Sequence, residues 1–121
     1  MGRDFKNIKA WQFADKLVID IYKISKNFPR EELYGIVSQI RRAAVSVPTN
    51  IAEGSARNSI KEYLQFLYIA RASLIEVEYL LHLSKNLEYL SEEDYVVVEQ
   101  LRVEAIKTLQ GLIAFIFKEN T

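Results

Sequence analysis

The sequence predicts an all-α fold, an antiparallel up-down-up-down four-helix bundle formed by a single domain over residues 1–121. Apolar residues recur at steps of three and four through four separate segments, which places them on one side of a helix each time. The breaks between segments are only a few residues long and carry a proline or a Ser-x-x-acid start signal, so consecutive helices should be antiparallel neighbours. Half of the 121 residues are hydrophobic, with 4 glycines and 2 prolines. That composition supports a real core and excludes a disordered chain.

The first helix is expected over about 8–27, with Ala10, Ala14, Leu17, Ile21, Ile24 and Phe28 as its core stripe. Asn27-Phe28-Pro29 ends it, because a residue before proline avoids helical angles. The second, about 30–56, opens with Glu31 and Glu32 where the helix dipole favours negative charge. Its apolar stripe is Leu33, Val37, Ile40, Ala44, Val47 and Ile51. Pro48 lies inside that stripe and predicts a kink near Ala44, whose carbonyl loses its donor. Ser59 with Glu62 starts the third helix, about 59–87, whose stripe is Ile60, Tyr63, Leu67, Ala70, Leu74, Val77, Leu81 and Ser84. Ser91 with Asp94 starts the fourth, about 91–118, with Val98, Leu101, Ala105, Leu109, Leu112 and Ile116 inward. Gly111 in its interior costs roughly 1 kcal/mol against alanine and points to close packing there.

The second helix carries a polar stripe as well: Gln39, Arg42, Ser46, Thr49 or Asn50, Glu53 and Arg57. Around it the chain reads Phe28-Pro29, Glu32, Tyr34-Gly35, then Gln39 to Ala43, Ser46 to Pro48, Asn50 to Gly54 and Arg57. Further on come Phe66-Leu67, Ile69-Ala70, Ser73-Leu74 and Glu76. This pattern resembles the four-helix-bundle family of proteins encoded in 23S rRNA intervening sequences, over nearly the whole chain. Ala72 departs from it, since the family usually has glycine before the serine, and a close helix contact is shifted or loosened there. The resemblance implies a barrel-like homopentamer. It also implies kinship with the accessory variability protein of diversity-generating retroelements, which binds nucleic acid and a reverse transcriptase.

Each helix has more apolar surface than one seam needs, which independently predicts self-association. The aromatics are the preferred interface groups, and the candidates are Trp11, Phe13, Phe66, Tyr68, Tyr79 and Phe115. Sixteen basic and sixteen acidic residues cancel, so no strongly basic nucleic-acid binder is announced by net charge. A ring that repeats each arginine around an axis would build a basic surface from a neutral chain. The candidate nucleic-acid contacts are Arg41, Arg42, Asn50, Arg57, Lys61 and Arg71. Their alternative role is structural, with the cations paired to Glu53, Glu62 and Glu76 within and between subunits and with Arg42–Ser46 and Glu53–Arg57 coupled one helical turn apart.

Enzymatic chemistry finds little support. There is no cysteine and one histidine, His82, which is short of a di-iron bundle site that needs a Glu-x-x-His from each of two helices. No phosphate-loop motif and no nucleophile-histidine pairing is marked. No catalytic residue, metal ligand or cofactor is expected. Absent cysteines, signal peptide and membrane span point to the cytoplasm. Two functions remain: a nucleic-acid or ribonucleoprotein accessory, with a reverse transcriptase as a partner by family analogy, and a scaffold that recruits a helical protein partner.

Overall fold

A computed structural model describes residues 4–119. A short 3-10 turn, Phe5–Asn7, precedes four α-helices: α1 Lys9–Ser25, α2 Ser38–Ser55, α3 Ile60–Asn86 and α4 Glu92–Glu119. Each helix packs on its neighbour in sequence, and α4 closes the square against α1. The described residues contain no strand, as the fold class requires.

The expected stripes fill the centre. Ala14, Leu17 and Ile21 of α1 meet Ile40, Ala44, Val47 and Ile51 of α2, Leu67, Leu74 and Leu81 of α3, and Val98 and Leu109 of α4, all fully buried. Burying a leucine or isoleucine contributes about 1.5–3 kcal/mol each, and these side chains are the main source of bundle stability. The serine start signals act as expected: the Ser59 hydroxyl accepts from the Glu62 amide at 3.2 Å and Ser91 from Asp94 at 3.1 Å.

The α3 end is a Schellman turn that sequence reasoning passed over. Glu88 takes a left-handed φ of 63°, the Tyr89 amide donates to the Ser84 carbonyl at 2.9 Å and the Glu88 amide to Lys85 at 3.0 Å. Leucine-rich helix and next helix start are thus joined by a turn with its carbonyls satisfied.

Four expectations need correction. The irregular backbone lies at Gly35 (φ −107°, ψ −114°), not beside Pro48. It lies within a π-helical turn, Leu33–Val37, which follows a 3-10 turn, Arg30–Glu32, and leads into α2. Helix α2 itself runs unbroken through Pro48. Side chains reinforce the adjoining turn: Thr49 donates to the Val45 carbonyl at 2.8 Å and Asn50 to the Ser46 carbonyl at 2.7 Å. Leu33 is 47% exposed and leaves the core stripe, because the π turn shifts the helical phase before Val37. Gly111 is exposed, and a Cβ there would meet nothing within 4 Å, so close packing is not its reason. On α4 the inward set includes Arg102 and Ile113, while Leu101 and Leu112 lie at the core's edge.

Asp20 on α1 is a polar flaw in the α1–α4 seam. Its Oδ2 is buried without a hydrogen-bond partner. Burial first, and then the charge of Asp94, raise its pKa above the ordinary 3.8, with Lys23 pulling the other way. A carboxyl whose pKa is raised on folding holds its proton more tightly in the folded chain, so its stabilising contribution is full below the unfolded value and lost as pH rises through the folded value. Asp20→Asn is therefore expected to raise stability at pH 7 by about 1 kcal/mol, the scale of one unsatisfied buried acceptor, and to have less effect near pH 4. Urea denaturation of both chains at the two pH values measures this; an equal difference at both would contradict it.

Candidate functional site

The polar stripe of α2 does not face solvent alone; it lies along α3. Asn50 Nδ2 reaches the Ser46 hydroxyl at 3.0 Å, and Ser73 on α3 donates to the same hydroxyl at 2.9 Å. One turn away, Gln39 Nε2 approaches Glu76 Oε2 at 3.5 Å. Gln39, Ser46, Ser73 and Glu76, with Arg42 and Ala43, edge a shallow depression of about 200 Å³. Sequence spacing located Gln39, Ser46 and Asn50, and the family pattern includes Ser73 and Glu76, but the pairing of the two sets across helices carries no local signal.

The six candidate nucleic-acid contacts divide into four places. Arg41 turns toward α1, where Nε donates to Ser25 Oγ at 2.9 Å, a terminal nitrogen to the Tyr22 carbonyl at 3.3 Å, and the guanidinium covers the Tyr22 ring at 4.5 Å. Arg42 is exposed at the α2–α3 depression, and Asn50, two turns further along α2, is hydrogen-bonded to Ser46. Arg57 and Lys61 are exposed around the α2–α3 turn, and Arg57 sits over the Phe66 ring at 4.7 Å. Arg71 covers Tyr68 at 5.1 Å and borders α4 near Ile113 and Phe117. Arg42 and Asn50 thus lie along the α2–α3 seam on either side of Ser46, Arg57 and Lys61 lie at the turn that joins those two helices, and Arg41 and Arg71 lie on other seams.

The expected intrachain pairing of these cations does not form. Among the described residues the ion pairs are Lys85–Glu92 and Arg102 with Glu78 and Glu99. Ser46 is engaged by Asn50 and Ser73, not by Arg42. Arg57 turns onto an aromatic ring instead of Glu53, since a guanidinium face on a ring shields apolar surface while its edge nitrogens stay in water.

The most buried ionic group was missed. Arg102, 6% exposed, donates from Nε and a terminal nitrogen to the two Glu99 oxygens at 2.7 and 2.8 Å, and lies 3.5 Å from Glu78 on α3. The Glu99 hydrogen bond first, and both carboxylate charges, raise its pKa further against the opposing effect of burial. The signal was present: counting four from Val98 lands on Arg102 in core phase, with a carboxylate three residues before it.

A second anchor lies at the end of the bundle where α1 leads to α2 and α3 to α4. Glu32 accepts from the Tyr89 hydroxyl at 2.9 Å and from the Ile36 amide at 3.3 Å. That acceptor, foremost, raises the Tyr89 pKa above 10.0. The pinned turn holds Tyr34 outward, 93% exposed.

The candidate interface aromatics also separate. Tyr68, Tyr79 and Phe115 are exposed, at 38%, 59% and 62%. Trp11, Phe13 and Phe66 are half-buried; Trp11 and Phe13 pack on the core and Trp11 meets Phe5 edge-on at 5.1 Å. Among the described residues no three His, Asp or Glu side chains gather in a metal-binding group, and no helix is long and apolar enough to cross a membrane.

No curated protein matches the chain. Among solved structures, it is similar to a protein of unknown function from the S23 ribosomal protein family of Bacteroides thetaiotaomicron VPI-5482. The two share 25% identity and a TM-score of 0.80 over 87% of this chain and 95% of that one. The family model described as 23S rRNA-intervening sequence protein matches residues 6–111. With α1 to α3, most of α4 and the Gln39–Arg57 stretch inside that span, the chain belongs to the 23S rRNA-intervening sequence protein family.

Proposed function

We propose that this chain is a non-catalytic, cytoplasmic accessory protein for nucleic acid or ribonucleoprotein, working as a ring-like homo-oligomer, a pentamer by family resemblance. The observation that carries the reading is that Arg42 on α2, and Arg57 and Lys61 at the α2–α3 turn, are three exposed cations without an ion-pair partner among the described residues. Asn50 lies on α2 between the first and the second of them. One protomer offers too few cations for tight binding. Repeated around a ring, the same set becomes a band able to displace counterions from several phosphates at once. Family membership supports the nucleic-acid direction, and a reverse transcriptase is a candidate partner by the same analogy.

The test is titration of a labelled RNA, and of DNA of the same sequence, at two salt concentrations with the wild type and an Arg57→Ala/Lys61→Ala chain. Wild-type affinity is expected to fall steeply with salt, and the double variant to bind more weakly with a shallower slope, since each lost phosphate contact removes about 0.7–0.9 from the logarithmic slope. Identical slopes for the two chains would contradict the reading.

A second reading rests on the exposed aromatics: Tyr34, Tyr79 and Phe115 are each more than half exposed. A ring that uses such side chains to recruit a helical protein partner would bind it with little salt dependence and lose it when those aromatics are replaced.

A further inference from the structure

The α1–α2 corner holds a cavity of about 400 Å³, within the size range of small-molecule sites. Three cations line it, Lys26, Arg30 and Arg41, and no carboxylate does. Its apolar side is made by Phe28, Leu33 and Val37. The π turn that takes Leu33 out of the core places it here.

Arg41 is already fixed. The Ser25 hydroxyl, 3% exposed, donates to the Ile21 carbonyl at 2.6 Å and accepts from Arg41 Nε at 2.9 Å. One terminal nitrogen of Arg41 is held by the Tyr22 carbonyl, which leaves the other uncommitted. A ligand contacting it would pay little conformational entropy. Of the two carboxylates in the adjoining turn, Glu32 is held by Tyr89 and the Ile36 amide, and neither Glu31 nor Glu32 lines the cavity. Together these features put one pre-positioned guanidinium and two further cations in the same cavity as an apolar lining.

We propose that this cavity binds a phosphate monoester carried on an apolar or aromatic body. Charge selects the ligand class: a monoester carries about −1.5 to −2 at neutral pH and three acceptor oxygens, against −1 and two oxygens for a carboxylate. Three lining cations without an acid match the former. The apolar lining distinguishes an esterified phosphate from the free ion. A mononucleotide and the 5′-phosphate end of an oligonucleotide both present this group. The site is complete within one chain, so it stands apart from the ring: a monomeric mass would overturn the ring and leave the cavity untouched.

The experiment is calorimetric titration with phenyl phosphate, inorganic phosphate and benzoate, with amide chemical shifts recorded on the same protein. Phenyl phosphate is expected to bind about tenfold more tightly than either comparator and to shift amides between Ser25 and Arg41. Arg30→Ala, an exposed position that the fold does not need, is expected to weaken it about tenfold, the scale of one charge-assisted hydrogen bond. Arg41→Lys, which keeps the charge but not the fork, should weaken it similarly. A 5′-phosphorylated dinucleotide should bind as a mononucleotide does, and its 5′-hydroxyl counterpart should not. Equal affinity for the three small anions, indifference to Arg30→Ala, or equal binding of the two dinucleotides would each overturn the proposal.

Discussion

Gly54→Ala is expected to destabilise the bundle by about 2–3 kcal/mol, the upper range for overpacking a tight helix contact. Gly54 is buried near the C-terminal end of α2, where α3 crosses closest. A Cβ at this position would stand 2.8 Å from Phe66 Cβ, 3.0 Å from Tyr63 Cδ1 and 3.3 Å from the Tyr63 carbonyl oxygen. The first and last of these atoms move only with the α3 backbone, so a rotamer change cannot relieve the contact. Helices α2 and α3 must separate, and Tyr63, 1% exposed, loses its packing. Thermal unfolding should show Tm lower by about 10 °C for a chain of this size. A change within about 2 °C would contradict the close packing. The same substitution displaces Phe66, on which Arg57 rests, so it should also weaken any binding made there.

The second large effect concerns the buried guanidinium. Glu99→Ala removes the bidentate acceptor of Arg102 and leaves a 6% exposed cation with Glu78 alone at 3.5 Å. Stranding a buried charge costs about 3–5 kcal/mol in dry interiors. The Glu78 side chain is 53% exposed and water can follow it in, so about 2–3 kcal/mol is expected here. Arg102→Met removes the charge and keeps most of the volume, and it should be nearly neutral, because the carboxylates it leaves behind reach solvent. Urea denaturation of the two variants gives the comparison. Arg102→Met falling as far as Glu99→Ala would mean that the ion pair itself, and not the avoidance of a stranded charge, holds α3 to α4.

The bundle was legible because its code is local. Periodicity over Ala10–Phe28 and Ile60–Ser84 places each residue without reference to any other helix, and every residue of those two stripes is buried except Ile60, which is half-buried. What escaped had a non-local cause or broke the period. The π turn at Leu33–Val37 is capped by Glu32, whose other oxygen is held by Tyr89 far along the chain, and it breaks the period, so spacing alone puts Leu33 on the wrong face. Pro48 was expected to kink α2, but the neighbouring Thr49 and Asn50 side chains bond the carbonyls of Val45 and Ser46 and the helix continues. Arg102 was overlooked because a charged residue in core phase reads as an interruption, although Glu99 stands one turn before it.

The candidate site was half legible. Spacing gathered Gln39, Arg42, Ser46 and Asn50 onto one face, and the three-dimensional arrangement adds Ser73 and Glu76 opposite them. Arg41 and Arg42 look equivalent in sequence, yet a rotation of about 100° between successive helical residues sends one to Ser25 and Tyr22 and the other to the α2–α3 edge. Adjacent identical residues thus acquire different roles from helical geometry alone.

In the proposed function a neutral chain acquires a nucleic-acid surface by assembling as a ring. Size-exclusion chromatography with light scattering measures the particle. A single species near five times the 14.0 kDa chain mass, unchanged by moderate salt, is expected. A 14.0 kDa monomer at the same concentration would contradict it, because three exposed cations on one protomer cannot supply the field that the proposed binding needs.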